Sequence, residues 1–133
     1  MDEIRLKARA KINLTLDVTG KRPDGYHELR TIMQTLSLYD GVYIKRIAKP
    51  RIKVKTNLFW LPVDERNLAW KAAELMRKRF GIRDGVFIEI DKRIPVAAGL
   101  AGGSADCAAV LVGMNRLYEL GLSARQLEGL AGM

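Results

Sequence analysis

Sixteen residues near the N-terminus alternate without a break. Ile4, Leu6, Ala8, Ala10, Ile12, Leu14, Leu16 and Val18 are apolar, and Arg5, Lys7, Arg9, Lys11, Asn13, Thr15, Asp17 and Thr19 stand around them. A helix would scatter these apolar residues around its circumference, whereas a period of two collects them on one face. The chain therefore begins in a half-buried strand or a hairpin pair, with one apolar and one polar face. Lys11 and Asn13, two apart, share the polar face.

The segment "GKRPDGY" that follows carries turn chemistry in Pro23, Asp24 and Gly25. "HELRTIMQTLSLYD" reads as a strand or a helix, "GVYIKRI" and "RIKVKT" as strands. From Asn67 the period lengthens. Leu68, Ala72, Leu75, Met76 and Phe80 fall on one helical face, and Gly81 stops the helix. "GVFIEI" returns to strand alternation through Val86, Ile88 and Ile90, and Pro95 ends that strand because it cannot donate to a ladder. Ser104 is the expected N-cap of the next helix, whose face runs through Cys107, Val110, Leu111, Met114 and Tyr118. Gly121 ends it. Ser123 opens a last helix bearing Leu127 and Leu130. The order of elements predicts an α+β fold with a mostly antiparallel sheet packed with helices.

At 48% hydrophobic and 29% charged, the 133 residues are rich enough in apolar side chains for a core and too rich for a disordered chain. No run of 18 apolar residues predicts a membrane span, and the charged N-terminus shows no signal peptide. Cys107 is the sole cysteine, so no internal disulfide is possible; the expectation is a cytoplasmic protein. The formal charge of +8 suits anionic partners such as nucleotides, phosphorylated metabolites or nucleic acid, or equally a solvated basic surface.

Between the last strand and its helix lies "PVAAGLAGGSADCAA". Gly99, Gly102 and Gly103 let the backbone approach a ligand closely. The helix start beyond them carries unpaired N–H groups and a partial positive charge, a combination suited to phosphate. The small Ala97, Ala98, Ala101 and Ala105 keep bulk away. Neither a G-x-x-x-x-G-K-[ST] loop nor a G-x-G-x-x-G fingerprint is present. On its own, the stretch could also be a tight turn that binds nothing.

The same stretch resembles the phosphate-binding motif of the GHMP kinases. "ARAKINLTLDVTGKRPDGYHELRTIMQTLSLYD", "RNLAWKA" and "IDKRIPVAAGLAGGSADCAA" are similar, within that superfamily, to the 4-diphosphocytidyl-2-C-methyl-D-erythritol kinases. The resemblance spans essentially all of residues 1–133 and corresponds to the N-terminal part of that family. It implies a fold like ribosomal protein S5 domain 2. It also implies ATP-dependent phosphorylation of the 2-hydroxyl of a cytidine diphosphate-linked methylerythritol in non-mevalonate isoprenoid synthesis, with ATP and Mg2+ as cofactors.

The resemblance assigns roles residue by residue. Pro95, Val96, Ala97, Ala98, Gly99, Leu100, Ala101, Gly102, Gly103, Ser104 and Ala105 would cradle the ATP phosphates, with Ser104 within reach of magnesium. Asn67, Leu68 and Lys92 would lie near the adenine. Lys11 would be the catalytic cation, stabilising charge that develops near the acceptor hydroxyl. Asn13 would help hold the substrate, and Tyr26 and His27 would receive its cytidine by stacking and by hydrogen bonding. Many members have glycine where this chain has Ala98 and Ala101, and serine in place of Ala105.

The family's aspartate base belongs to a "GADVPF"-like motif with no match here, and the C-terminal GHMP domain has none either. The expectation is a truncated N-terminal domain with little or no kinase activity alone, whose apolar Leu127 and Leu130 could drive self-association. Two other readings are a basic S5-like module that holds RNA and a GHMP kinase for another small alcohol. The "DGYHEL" segment argues against the latter, and the kinase motifs argue against nucleic acid as the partner.

Overall fold

A computed structural model of the chain describes residues 2–9, 39–94 and 102–131. The elements are β1 (Glu3–Arg9), β2 (Tyr39–Ile47), β3 (Ile52–Thr56), α1 (Leu68–Phe80), β4 (Gly85–Asp91), α2 (Gly102–Leu117) and α3 (Ala124–Ala131). The four strands form one sheet in the order β1-β2-β4-β3. β1 with β2 and β2 with β4 are antiparallel, while β3 and β4 are parallel. A parallel pair needs a crossover, which α1 supplies. The fold is α+β with a mixed, mainly antiparallel sheet, as the element order predicts.

The alternation of β1 behaves as expected. Ala8 is buried, Ile4 and Leu6 are half-buried, and Arg5, Lys7 and Arg9 face solvent. Val42, Ile44, Val54, Val86, Ile88 and Ile90 extend the apolar face across the other strands. α1 and α2 cover this face with Ala69, Ala72, Ala73, Met76, Ala105, Ala109, Val110, Leu111 and Met114. The alanines bring helix and sheet backbones close. α2 carries this furthest at Gly113, where a Cβ would stand 2.5 Å from Ile44 Cδ1 and 2.9 Å from Leu6 Cδ1.

The ends of the elements follow local chemistry. Asn67 caps α1 by accepting from the Ala69 N–H at 2.8 Å. Gly81 ends α1 in the left-handed region at φ 62°, its N–H donating to the Arg77 carbonyl. Ser123 and Gln126 form a capping box before α3. The Gln126 N–H donates to Ser123 Oγ, and the Ser123 N–H to Gln126 Oε1.

Three expectations need correction. Leu68 is not on the buried face of α1; it is exposed in the first turn, and the buried stripe runs through Ala69, Ala72, Ala73 and Met76. α2 opens at Gly102, so Ser104 lies within its first turn and is not its N-cap. Leu127 and Leu130 are not an open apolar surface. Leu130 is buried and Leu127 half-buried, because α3 folds back onto the core beside α2. The large apolar side chains exposed among the described residues are Phe59, Trp60, Val63 and Leu68. No described helix is long and apolar enough to cross a membrane.

Candidate active site

β4 delivers the chain to Lys92, Arg93 and Ile94, the last described residues before the glycine-rich stretch, and α2 receives it at Gly102. Both sides of this connection are tied to one buried cluster. The Lys92 ammonium donates to Asp40 Oδ2 at 2.7 Å and to Asp106 Oδ2 at 2.8 Å. All three side chains are withdrawn from water, with relative exposures of 4%, 0% and 6% respectively.

Asp40 comes from β2. Its other oxygen, Oδ1, accepts from the Arg93 N–H at 2.7 Å and the Ile94 N–H at 2.9 Å. Asn57, just past β3, holds the Lys92 peptide from the far side. It accepts from the Lys92 N–H at 2.7 Å and donates to the Lys92 carbonyl at 3.2 Å. Three successive backbone N–H groups ahead of the loop are thus satisfied by side chains from other strands, as buried polar groups require.

The charges in the cluster are unequal. Burial pushes the Asp106 carboxyl up to about 7, and the neighbouring Asp40 adds to this while Lys92 opposes it. Burial would raise Asp40 too, but Asp106, the Ile94 and Arg93 N–H groups and Lys92 together hold it below the ordinary carboxylate value. Burial disfavours the charged Lys92, yet the two carboxylates outweigh this and raise it. Asp106 Oδ1 is buried with no hydrogen-bond partner among the described residues.

The residues expected at the site divide into three groups. Lys11, Asn13, Tyr26, His27 and Pro95 to Ala101 lie outside the described residues. Gly102, Gly103 and Ser104 form the first turn of α2, and Ala105 is buried immediately after it. Asn67, Leu68 and Lys92 are placed, but not alike. The Asn67 side chain is occupied as the helix cap and donates to the Pro62 carbonyl at 2.9 Å. Leu68 stands beside it, exposed. The Lys92 ammonium is enclosed between two carboxylates, and its side chain is turned into the buried interior.

Sequence reading missed Asp40, Asp106 and Asn57. The signal for Asp106 was available: it is the one charge in "SADCAAVLVGM", and a carboxylate on an apolar helix needs a buried partner. Nothing local marked Asp40 or Asn57, whose partners are 52 and 35 residues away. Cys107 is half-buried against the core, its thiol pushed up by burial, in keeping with a packing role.

Two further features frame the site. A groove of about 320 Å³ runs between the end of β1 and the first turns of α2, lined by Ala8, Arg9, Ala105, Ala108 and Ala109. The exposed Phe59 and Trp60 sit on the segment between Asn57 and Asn67. Among the described residues no group of three His, Cys, Asp or Glu could hold a metal ion. Asp40 and Asp106 already serve Lys92.

A family model described as GHMP kinases N terminal domain matches residues 67–133. The chain is 56% identical over 128 residues to the 4-diphosphocytidyl-2-C-methyl-D-erythritol kinase of Clostridioides difficile (strain 630), covering 96% of this chain and 43% of that protein. To the protein of the same name from Lachnospira eligens it is 53% identical over 127 residues, 96% of this chain and 44% of that one. A crystal structure of 4-(cytidine 5'-diphospho)-2C-methyl-D-erythritol kinase superposes with a TM-score of 0.65 at 28% identity, over 98% of this chain and 46% of that one. The chain thus spans less than half the length of these relatives.

Proposed function

The chain belongs to the GHMP kinase family, and from that premise we propose that it forms the N-terminal, ATP-binding part of a kinase for 4-diphosphocytidyl-2-C-methyl-D-erythritol. One observation carries the reading. A chain more than half identical to kinases of that name over 96% of its length sets its glycine-rich stretch between a buried strand and the start of a buried helix.

ATP would lie with its phosphates on residues 95–105, where backbone N–H groups and the start of α2 offer positive potential. Its adenine would rest near Asn67 and Leu68, where Phe59 and Trp60 add flat apolar surface that favours stacking. In the transfer, the substrate's 2-hydroxyl oxygen bonds to the γ-phosphorus as the bond to the β,γ-bridging oxygen breaks. The hydroxyl proton leaves, and ADP is released. Such a reaction needs positioning and charge stabilisation more than covalent help from the protein.

Lys11 supplies charge stabilisation in this reading. It follows the end of β1 by two residues, and β1 ends at the groove beside the first turns of α2. Tyr26 and His27 would hold the cytidine and Asn13 the substrate. Magnesium would arrive on the ATP phosphates, neutralising part of their charge, with Ser104 as the protein group assigned to it by resemblance. The relatives that the chain matches are more than twice as long, and complete turnover is assigned in this reading to a protein of that length.

Calorimetric titration with ATP and a phosphoryl-transfer assay with the cytidyl substrate and with homoserine test this. The expected result is ATP binding by residues 1–133 and transfer to the cytidyl substrate alone by the longer protein. Absence of ATP binding in a folded sample, or transfer to homoserine with none to the cytidyl substrate, would overturn the reading.

A further inference from the structure

The cluster at the base of the glycine-rich loop does more than fill space. Lys92 stands three residues before Pro95, and Asp106 four residues after Gly102. One ammonium therefore joins the chain entering the loop to the helix leaving it. Asp40 fixes the entering side to the sheet through two backbone N–H groups, and Asn57 fixes the Lys92 peptide itself.

Stability alone gives little reason for this arrangement. A buried ion pair is often no more stabilising than apolar side chains of the same volume, because desolvating the charges offsets their attraction. Directional bonds supply what an apolar cluster cannot, a set spacing between the two feet of the loop. They also matter for charge. A carboxylate in the second turn of α2 lies close to where an anionic ligand would sit, and it would repel that ligand if no cation faced it. Lys92 faces it at 2.8 Å.

We propose that Lys92, Asp40 and Asp106 are positioning residues for the phosphate-binding loop: together they set the separation of its ends, and Lys92 offsets the carboxylate charge buried between them. The cluster thereby governs affinity for the polyphosphate of a nucleotide and leaves recognition of its base untouched. This rests on the ATP-binding reading above.

The test compares ATP with adenosine by calorimetry on the intact protein. A triple variant, Asp40→Asn with Lys92→Met and Asp106→Leu, removes all three charges, keeps an oxygen acceptor for the Arg93 and Ile94 N–H groups, and should remain folded by circular dichroism. Its ATP affinity should fall about tenfold or more while adenosine affinity stays within about threefold, since an effect of charge and geometry separates the two ligands where a general loosening would not. Asp106→Asn, whose amide oxygen still accepts from Lys92, should keep the ATP affinity within about threefold. Should the triple variant not fold, Asp106→Ala breaks the tie between the two ends of the loop while Lys92 keeps Asp40, and its ATP affinity should still fall relative to that for adenosine.

A folded triple variant with the wild-type ratio of ATP to adenosine affinity would overturn the proposal. So would equal loss of both ligands. If the unaltered protein binds adenosine and ATP equally, or neither, the nucleotide reading itself fails, which is a different result.

Discussion

Asn57 grips the Lys92 peptide from both sides, accepting from its N–H at 2.7 Å and donating to its carbonyl at 3.2 Å. The segment after β3 is thereby sewn to the segment after β4, beside the parallel β3–β4 pair. Asn57→Ala leaves both peptide groups without a partner, which should cost about 1–3 kcal/mol. Asn57→Asp retains the acceptor and loses the donor, so it should lie between alanine and wild type. Urea unfolding of the three proteins gives the order; an alanine variant as stable as wild type would refute the role assigned to Asn57.

Stability should fall as pH rises from about 4 to 7, because of Asp106. Its folded value is pushed up to about 7 from an ordinary 3.8, so over that interval the folded chain holds a proton that the unfolded chain has released. The contribution is complete below the unfolded value and is lost as pH rises through the folded one. Asp40, held low, and Lys92, held high, keep their charges in this window and add no slope. Asp106→Asn mimics the protonated side chain and should flatten the dependence. Unfolding midpoints measured across the interval for both proteins check it; an equal slope in the two would rule out Asp106 as its source.

The same substitution should act with opposite sign at two helical glycines. Gly113→Ala places a methyl 2.5 Å from Ile44 Cδ1, and overpacking of this kind costs about 1–3 kcal/mol, more than alanine's helix propensity returns. At Gly129, on α3, an added Cβ would meet no neighbouring atom of the described residues within 4 Å. There Gly129→Ala should stabilise by about 0.5–1 kcal/mol. Thermal melts of both variants decide it, and two shifts of the same sign would contradict the packing described for α2.

Leu130 is the buried anchor of α3. Leu130→Asp should release the helix and uncover Leu127. Hydrogen exchange over residues 124–131 should then quicken markedly while the amides of β2 and β4 stay protected, since local opening is independent of the core. Equal acceleration in the sheet would mean that α3 is integral to the cooperative unit.

Much of the fold was legible because it depends on neighbours in sequence. Period two marked β1, β2, β3 and β4, the longer period marked α1 and α2, and Asn67, Gly81 and Ser123 marked helix ends through bonds made within a few residues. The glycine-rich stretch was visible for the same reason, since backbone freedom and small side chains are local properties. The pattern was less reliable at element ends. Leu68 has the right spacing for the core, but the first turn of α1 meets the core through its neighbour Ala69 and leaves Leu68 exposed. Leu127 and Leu130 looked unpartnered only because α2 packs against them from a direction that spacing does not encode.

Residue order alone thus determined which segments are strands and helices, which face of each is apolar, and where backbone could come close to an anion, because each follows from residues a few positions apart. Tertiary structure alone decided that Asp40, Lys92 and Asp106 meet. Three charges from β2, the end of β4 and α2 can share a dry interior only if the sheet order β1-β2-β4-β3 brings them within 3 Å. The cost of burying each singly is what makes that meeting obligatory once the sheet has formed.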